Sequence, residues 1–216
     1  MSNINMNVII GELHRAYNFF NNEYYKNQLP MPIILVQSKG NRKNSLGWCT
    51  VRPIWKENDE QEGKYELNIV AEALNRGSEK VISTLLHEMA HLYNLMNGIK
   101  DVSRGGTYHN TKFKKTAESH GLEVGFSKSL GHSPSKLNLQ SIKLLEKLKL
   151  DEQAFSIARI ELKKSNESYR NKVNGGKKVK KNLVQYLCKC GKTVYSEEKV
   201  LIKCCECGES FLEMEE

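Results

Sequence analysis

From Ser78 to Met96 the chain runs without a single Pro or Gly, its apolar side chains recurring on a helical repeat. Such a segment has one good solution, an α-helix packed into a core. Asn97-Gly98 supplies a stop signal, and Ser78 is the expected N-cap, with Glu79 in the first turn favoured by the helix dipole. Inside this stretch lies His87-Glu88-Met89-Ala90-His91. On a helix His87 and His91 stand one turn apart on one face. Two imidazoles so placed can hold one zinc ion, and Glu88 lies beside them, where a carboxylate can act on a water molecule.

Two histidines leave such a site incomplete, because a catalytic zinc takes three protein ligands and keeps a position for water. The remaining candidates are His14, His109, His120 and His132. His109 follows the loop Lys100–Thr107, with its Gly105-Gly106 pair, and begins the next helical segment. A flexible approach of this kind can fold it back onto the first pair, so His109 is the favoured third ligand. Glu118 and His120, lower on that segment, are the alternatives. His14 and His132 lack supporting context and read as surface or locally bonded residues. The metzincin spacing requires Gly at position 94 and His at position 97; Asn94 and Asn97 stand there instead, which excludes that class.

Around this centre, Asn7–Lys26 reads as an amphipathic helix ended by Pro30 and Pro32. Ile33–Val36, Leu46–Val51 and Tyr65–Val70 read as short strands, the last two separated by the acidic turn Glu57–Gly63. Asn110 or Thr111 caps a helix running to about His120. Leu137, Leu144, Leu145, Leu148, Ile157 and Ile160 suggest one long helix over Ser135–Lys164. Asn171–Asn182, rich in lysine and carrying Gly175-Gly176, reads as a linker. Cys49 is most simply a buried strand residue. Trp48, Trp55 and Tyr65 are candidate stacking surfaces for bases, although aromatics on short strands more often belong to the core.

Five of the six cysteines fall between Cys188 and Cys207. The chain begins without a charged start and apolar core of the secretory kind, and no apolar run approaches a membrane span. A cytoplasmic setting is therefore expected, with association to the nucleoid as its variant, and clustered thiols there favour metal ligation over disulfides. Cys188, Cys190, Cys204 and Cys207 are assigned to a closed structural zinc site, a ribbon too small to fold without metal. Cys205 is the spare, and a Cys205/Cys207 pair mirroring Cys188/Cys190 is the alternative. The net charge is +8. Much of the excess is local: Lys163, Lys164, Arg170, Lys172, Lys177, Lys178, Lys180 and Lys181 face a single acid, Glu167, across this stretch. Such a block is either a solvated linker or a tether for phosphates. Lys177, Lys178, Lys180 and Lys181 are the candidate nucleic-acid contacts.

The stretch HEMAHLYNLMNG, the loop after it, and His109-Asn110-Thr111-Lys112-Phe113 resemble the SprT-like zinc metalloprotease family, which includes Spartan. His109 and Phe113 match the family's third-ligand element, and Asn110 stands where its members usually carry Gly. Leu46-Gly47-Trp48-Cys49 and Tyr65-Glu66-Leu67-Asn68-Ile69 are similar to the family's core strands. The fold expected is α+β: a minimal zincin-like domain over residues 1–132, with a small sheet and the active-site helix. A helical segment and basic linker follow over 133–182, then a zinc ribbon over 183–216. The resemblance implies zinc-dependent peptide-bond hydrolysis with Glu88 as the catalytic residue, one catalytic and one structural zinc, and no membrane. It also implies protein substrates associated with or crosslinked to DNA, with DNA, single-stranded or of single-stranded character, as a partner. The alternative is a nucleic-acid-binding or regulatory zinc protein without proteolytic activity, and Glu88 argues against it, since a purely structural site has no use for that carboxylate.

Overall fold

The computed structural model describes residues 4–42, 45–56, 63–160, 184–196 and 198–214. The basic block with Lys177, Lys178, Lys180 and Lys181, and the acidic turn up to residue 62, lie outside the described residues. The chain forms two compact units, Met1–Glu161 and Leu162–Glu216, each taken by itself here. Among the described residues no helix is long and apolar enough to cross a membrane.

The first unit opens with helix α1 (Met6–Tyr25), capped by the Asn5 side chain, which accepts from the amides of Asn7 and Val8. Its inner face buries Ile9, Leu13, Ala16, Tyr17 and Phe20 completely. The helix ends at the Lys26 boundary expected from the sequence, and a local turn ends it before either proline is reached. It stops at Lys26 and Asn27, both left-handed, with φ of 52° and 59°. Buried Asn21 fixes the turn, its side chain accepting from the Leu29 amide and donating to the Leu29 carbonyl.

Strands β1 (Ile33–Gln37), β2 (Gly47–Cys49) and β3 (Glu66–Val70) form a sheet with β3 in the middle. β1 runs parallel to it, Ile33 opposite Glu66, and β2 antiparallel, Gly47 opposite Ile69. Leu67 and Ile69 point into the core and are fully buried. A 3-10 turn, Ala71–Arg76, leads into helix α2 (Ser78–Met96). Its N-cap is Gly77, without a side-chain bond, whereas Ser78 was expected to cap it. Ser78 instead donates its hydroxyl to Glu152, an acid that no local signal could have paired with it. Val81, Ile82, Leu85, Leu86, Met89, Ala90 and Leu92 of α2 are all fully buried. At about 1.5–3 kcal/mol for each large aliphatic, they anchor the helix that carries the Glu88 carboxyl and two imidazoles.

Strands β4 (Val102–Ser103) and β5 (Tyr108–His109) form a hairpin that places Val102 opposite His109. Helix α3 (Thr111–Ser119) follows directly, capped by Asn110. Then β6 (Leu122–Val124) and β7 (Ser135–Leu137) pair antiparallel, and helix α4 (Leu139–Leu148) leaves from β7. The long helix expected over Ser135–Lys164 is not formed in the described part of that span. Asn138 caps α4 by accepting from the Ser141 amide, and left-handed Lys149 (φ 50°) ends it. Asp151 then caps a separate 3-10 turn, Glu152–Phe155. Leu137, Leu144 and Leu145 reach one core from a strand and a separate helix, so their spacing mimicked a single helical stripe, while Ile157 and Ile160 are exposed. At the end of this unit, Arg159 donates to Glu72 and to the Ser38 hydroxyl. Burial alone would raise the Glu72 carboxyl, yet hydrogen bonds from Ser38, the Lys39 amide and Arg159 hold it at about 2.

The second unit is a small antiparallel sheet of β8 (Val184–Leu187), β9 (Thr193–Ser196) and β10 (Leu212–Glu213), with β8 in the middle. Tyr186 is its buried aromatic, and its hydroxyl accepts from the Val200 amide.

The connection between β6 and β7 folds back onto β5. The His109 amide donates to the Leu130 carbonyl, and the His132 amide donates to the His109 carbonyl. Gly131 makes this approach possible, with φ +70° and an ideal Cβ position only 2.2 Å from the His109 carbonyl oxygen. Gly131→Ala should therefore destabilise the first unit by more than about 2 kcal/mol, read as a shift of the urea midpoint; an unchanged midpoint would contradict this packing.

Candidate metal centres

Helix α2 brings His87 and His91 to one face, and hairpin β4–β5 delivers His109 opposite them. Their Nε2 atoms form a triangle: 3.2 Å from His87 to His91, 3.1 Å from His87 to His109, and 3.0 Å from His91 to His109. Phe113, fully buried one turn into α3, lies against all three rings, with centroids 4.5, 4.5 and 4.8 Å away.

Each ring is also held at its other nitrogen. His91 Nδ1 is 2.7 Å from Asp101 Oδ2, His109 Nδ1 is 3.2 Å from the Leu130 carbonyl oxygen, and His87 Nδ1 is 3.0 Å from the Ser135 hydroxyl. A carboxylate and a carbonyl can only accept. The Nδ1 protons of His91 and His109 are thereby fixed, and their Nε2 atoms present lone pairs. Burial, reinforced by the neighbouring imidazoles, pushes His87 well below its ordinary value and His109 down to about 4, so both rings are neutral near pH 7. Three imidazole nitrogens about 3 Å apart, two of them with lone pairs turned inward, form a candidate metal-ligand set. The fit to zinc is close, since tetrahedral Zn–N bonds of about 2.0–2.1 Å place the nitrogens roughly 3.3 Å apart.

Glu88 lies on the same helix, buried against β2. The ideal Cβ position of Gly47 is 3.2 Å from Glu88 Oε1 and 2.8 Å from the Asn68 carbonyl oxygen, so only glycine leaves room for both. Burial pushes the Glu88 carboxyl up to about 7; His91 and the Cys49 backbone amide pull against that rise, and Asp101 adds to it.

The alternatives for a third ligand go elsewhere. The His120 ring stacks on Tyr25 at 4.2 Å and its Nδ1 meets the Thr116 carbonyl, while Glu118 pairs with Lys114. Asn110 sits at φ −90°, a conformation open to any residue, and its side chain caps α3 while donating to the Lys100 carbonyl. Asn therefore does more in this position than Gly could.

The SprT-like family model matches residues 13–132. The chain belongs to the SprT-like family. Neither the curated proteins nor the solved structures compared with it give a match. The span shared with the SprT-like family contains His87, Glu88, His91, Asp101, His109, Phe113 and Leu130, but stops short of Ser135, the partner of His87. Asp101, Leu130 and Ser135 escaped the sequence reading. Asp101 is one acid in a polar loop, Leu130 acts through its backbone, and Ser135 fell in a segment read as helix.

The second cluster lies beyond the SprT-like span. Cys188, Cys190, Cys204 and Cys207 bring their sulfurs within 4.8 Å of one another. Cys205 is exposed and outside the group, which decides between the two pairings the spacing allowed. Left-handed Gly191 and Gly208 close the two turns, their amides donating to the carbonyls of Cys188 and Cys204. Backbone amides of Cys207 and Glu206 pull the Cys204 thiol below its ordinary value, toward the thiolate a metal needs. Four sulfurs compatible with zinc leave no place for substrate.

The candidate stacking aromatics divide. The Trp48 ring is covered by the Arg42 guanidinium at 4.2 Å, Trp55 is half-exposed and donates to Glu66, and Tyr65 packs on the core.

A carboxyl held at about 7 against an ordinary 4.5 favours folding below the lower value, and that contribution is lost as pH rises through the upper one. Chelator-treated Glu88→Gln should therefore gain stability relative to wild type between about pH 5 and about pH 8, on the order of 2 kcal/mol. A difference in melting temperature that stays constant over that range would contradict the assigned burial.

Proposed function

We propose that this SprT-like protein is a zinc-dependent metalloprotease with a minimal zincin-like catalytic domain, acting on proteins associated with or crosslinked to DNA. The observation that carries the reading is the triangle of His87, His91 and His109 Nε2 atoms, with the buried Glu88 carboxyl on the same helix. A bound zinc ion supplies Lewis acidity, which makes water a nucleophile at neutral pH and polarises a scissile carbonyl.

The chain's own residues do the rest. The three imidazoles are the ligands, each held in orientation from behind, with the tautomer fixed for His91 and His109. Glu88 is the general base: its carboxylate takes a proton from the attacking water and later hands it to the leaving amine. A carboxyl poised near 7 suits both transfers, since it neither holds nor releases the proton too strongly. Cys188, Cys190, Cys204 and Cys207 hold a second, structural zinc in the ribbon.

DNA enters through charge. Over residues 184–216 the ribbon carries Lys189, Lys192, Lys199 and Lys203 against Glu197, Glu198, Glu206, Glu209, Glu213, Glu215 and Glu216, a poor match to a phosphate backbone. The stretch Lys163–Lys181 has the opposite balance and is the natural phosphate contact, with Lys177, Lys178, Lys180 and Lys181 at its end.

The decisive assay is cleavage of a DNA-binding protein with and without single-stranded DNA. Wild type should cleave only with DNA, and Glu88→Gln should lose cleavage by at least about a hundredfold while retaining zinc. Cleavage independent of DNA would remove the DNA-linked role; zinc bound without any cleavage would favour a binding module. Replacing the four lysines with Gln should weaken single-stranded DNA binding and flatten its salt dependence by roughly three to four ions. Binding unchanged by that substitution would reassign the contact.

A further inference from the structure

The three imidazoles are not backed equally. His87 meets a neutral hydroxyl and His109 a neutral carbonyl, whereas His91 meets a carboxylate. Behind that carboxylate runs a directed chain. Thr116 donates its hydroxyl to Asn94 Oδ1 at 2.7 Å, Asn94 Nδ2 donates to Asp101 Oδ2 at 2.9 Å, and the same oxygen accepts the His91 Nδ1 proton at 2.7 Å. Asn94 is fully buried, and Asp101 and Thr116 are nearly so. The amide of Asn94 can face only one way, since the Asp101 carboxylate only accepts and must meet the amide nitrogen, which leaves the oxygen for the Thr116 hydroxyl.

The chain also crosses elements. Asn94 belongs to α2, Asp101 to the loop before β4, and Thr116 to α3. The Asp101 backbone carbonyl accepts the Asn110 amide at 2.9 Å, one residue beyond His109. One residue thus anchors a ligand on the helix through its side chain, and the approach of the third ligand through its backbone.

We propose that Asp101, oriented by Asn94 and Thr116, is a positioning residue for His91, fixing its tautomer and raising its strength as a metal ligand. The proposal rests on the reading of His87, His91 and His109 as a metal site. An anionic acceptor behind a ligating imidazole increases the electron density at the coordinating nitrogen, which a neutral acceptor does less well. A buried polar chain that served only to stabilise the fold would leave metal affinity alone.

Cobalt(II) in place of zinc separates the two clusters in the full chain. Thiolate-to-cobalt charge transfer reports Cys188, Cys190, Cys204 and Cys207, while the weaker ligand-field bands of a histidine site report His87, His91 and His109. Under competition from a chelator, Asp101→Asn should weaken the histidine site by about 10–100-fold and leave the cysteine site unchanged. Thr116→Val, which removes the far hydroxyl at nearly constant volume, should weaken it by less than about tenfold, and Thr116→Ser should restore wild-type affinity. Wild-type cobalt affinity at the histidine site in Asp101→Asn, or in Thr116→Val should Asp101→Asn not fold, would overturn the proposal even if the melting temperature fell. A wild-type protein with no histidine-site spectrum would overturn the metal reading itself, a distinguishable result.

Discussion

Nothing intrinsic to a polypeptide favours three imidazole nitrogens facing one another about 3 Å apart. The arrangement persists because each ring is gripped from outside the triangle. Asp101, Leu130 and Ser135 hold the outer nitrogens, and Phe113 fills the space against the ring faces. These four residues come from the loop before β4, the connection before β7, β7 itself and α3. Much of the first unit's topology can be understood as the delivery of those grips. The β4–β5 hairpin is only two residues deep, yet it sets His109; the excursion between β6 and β7 returns to β5 through Gly131, and by returning it closes the site.

The same burial that rigidifies the centre puts Glu88 in an awkward place. A carboxylate in a dry interior prefers to be protonated, and only His91 and the Cys49 amide offer relief. A more generous set of donors would stabilise the ionised carboxyl and lower it out of the range that suits the base proposed above. Gly47 belongs to the same compromise. Any side chain there would meet the Asn68 backbone and press on the Glu88 carboxyl, so the strand next to the helix gives up a residue's worth of packing to leave the carboxyl its room. Local stability is traded for chemical reach at this one point of contact between β2 and α2.

How far the sequence revealed this follows from the range of the interactions. Helix α2, its pair of histidines and its stop at Asn97 were legible because periodicity and spacing are local. So were the approximate strands, the Asn110 cap and the four ribbon cysteines, although only the fold separated Cys204 from Cys205. The outer grips were not legible. Ser135 lies dozens of residues from His87, and Leu130 contributes a carbonyl that every residue possesses. The segment after Ser135 misled for a different reason: Leu137, Leu144 and Leu145 do face one core, but from a strand and a helix broken at Asn138. Single capping residues, Asn138, Lys149 and Asp151, decided that region, and each is weak beside a stripe of leucines.

The two clusters stand in opposite relation to folding. The first unit has a core of its own, built from α1, β3, α2 and the pieces after β6, and its histidines sit on elements that core already fixes. Among the described residues, the second unit buries little beyond Tyr186, Cys188 and Cys204. Four sulfurs packed this closely would repel one another once ionised to thiolates, unless a cation lay between them. On the proposed reading, the cation and the fold of such a unit form together, whereas in the first unit a metal would enter a site already shaped. A set of three imidazoles leaves a coordination position and would suit turnover; a closed set of four thiolates would suit permanence. On the proposed reading, chemistry and architecture divide the two roles in the same way, the reactive centre resting on the unit with the larger core of its own.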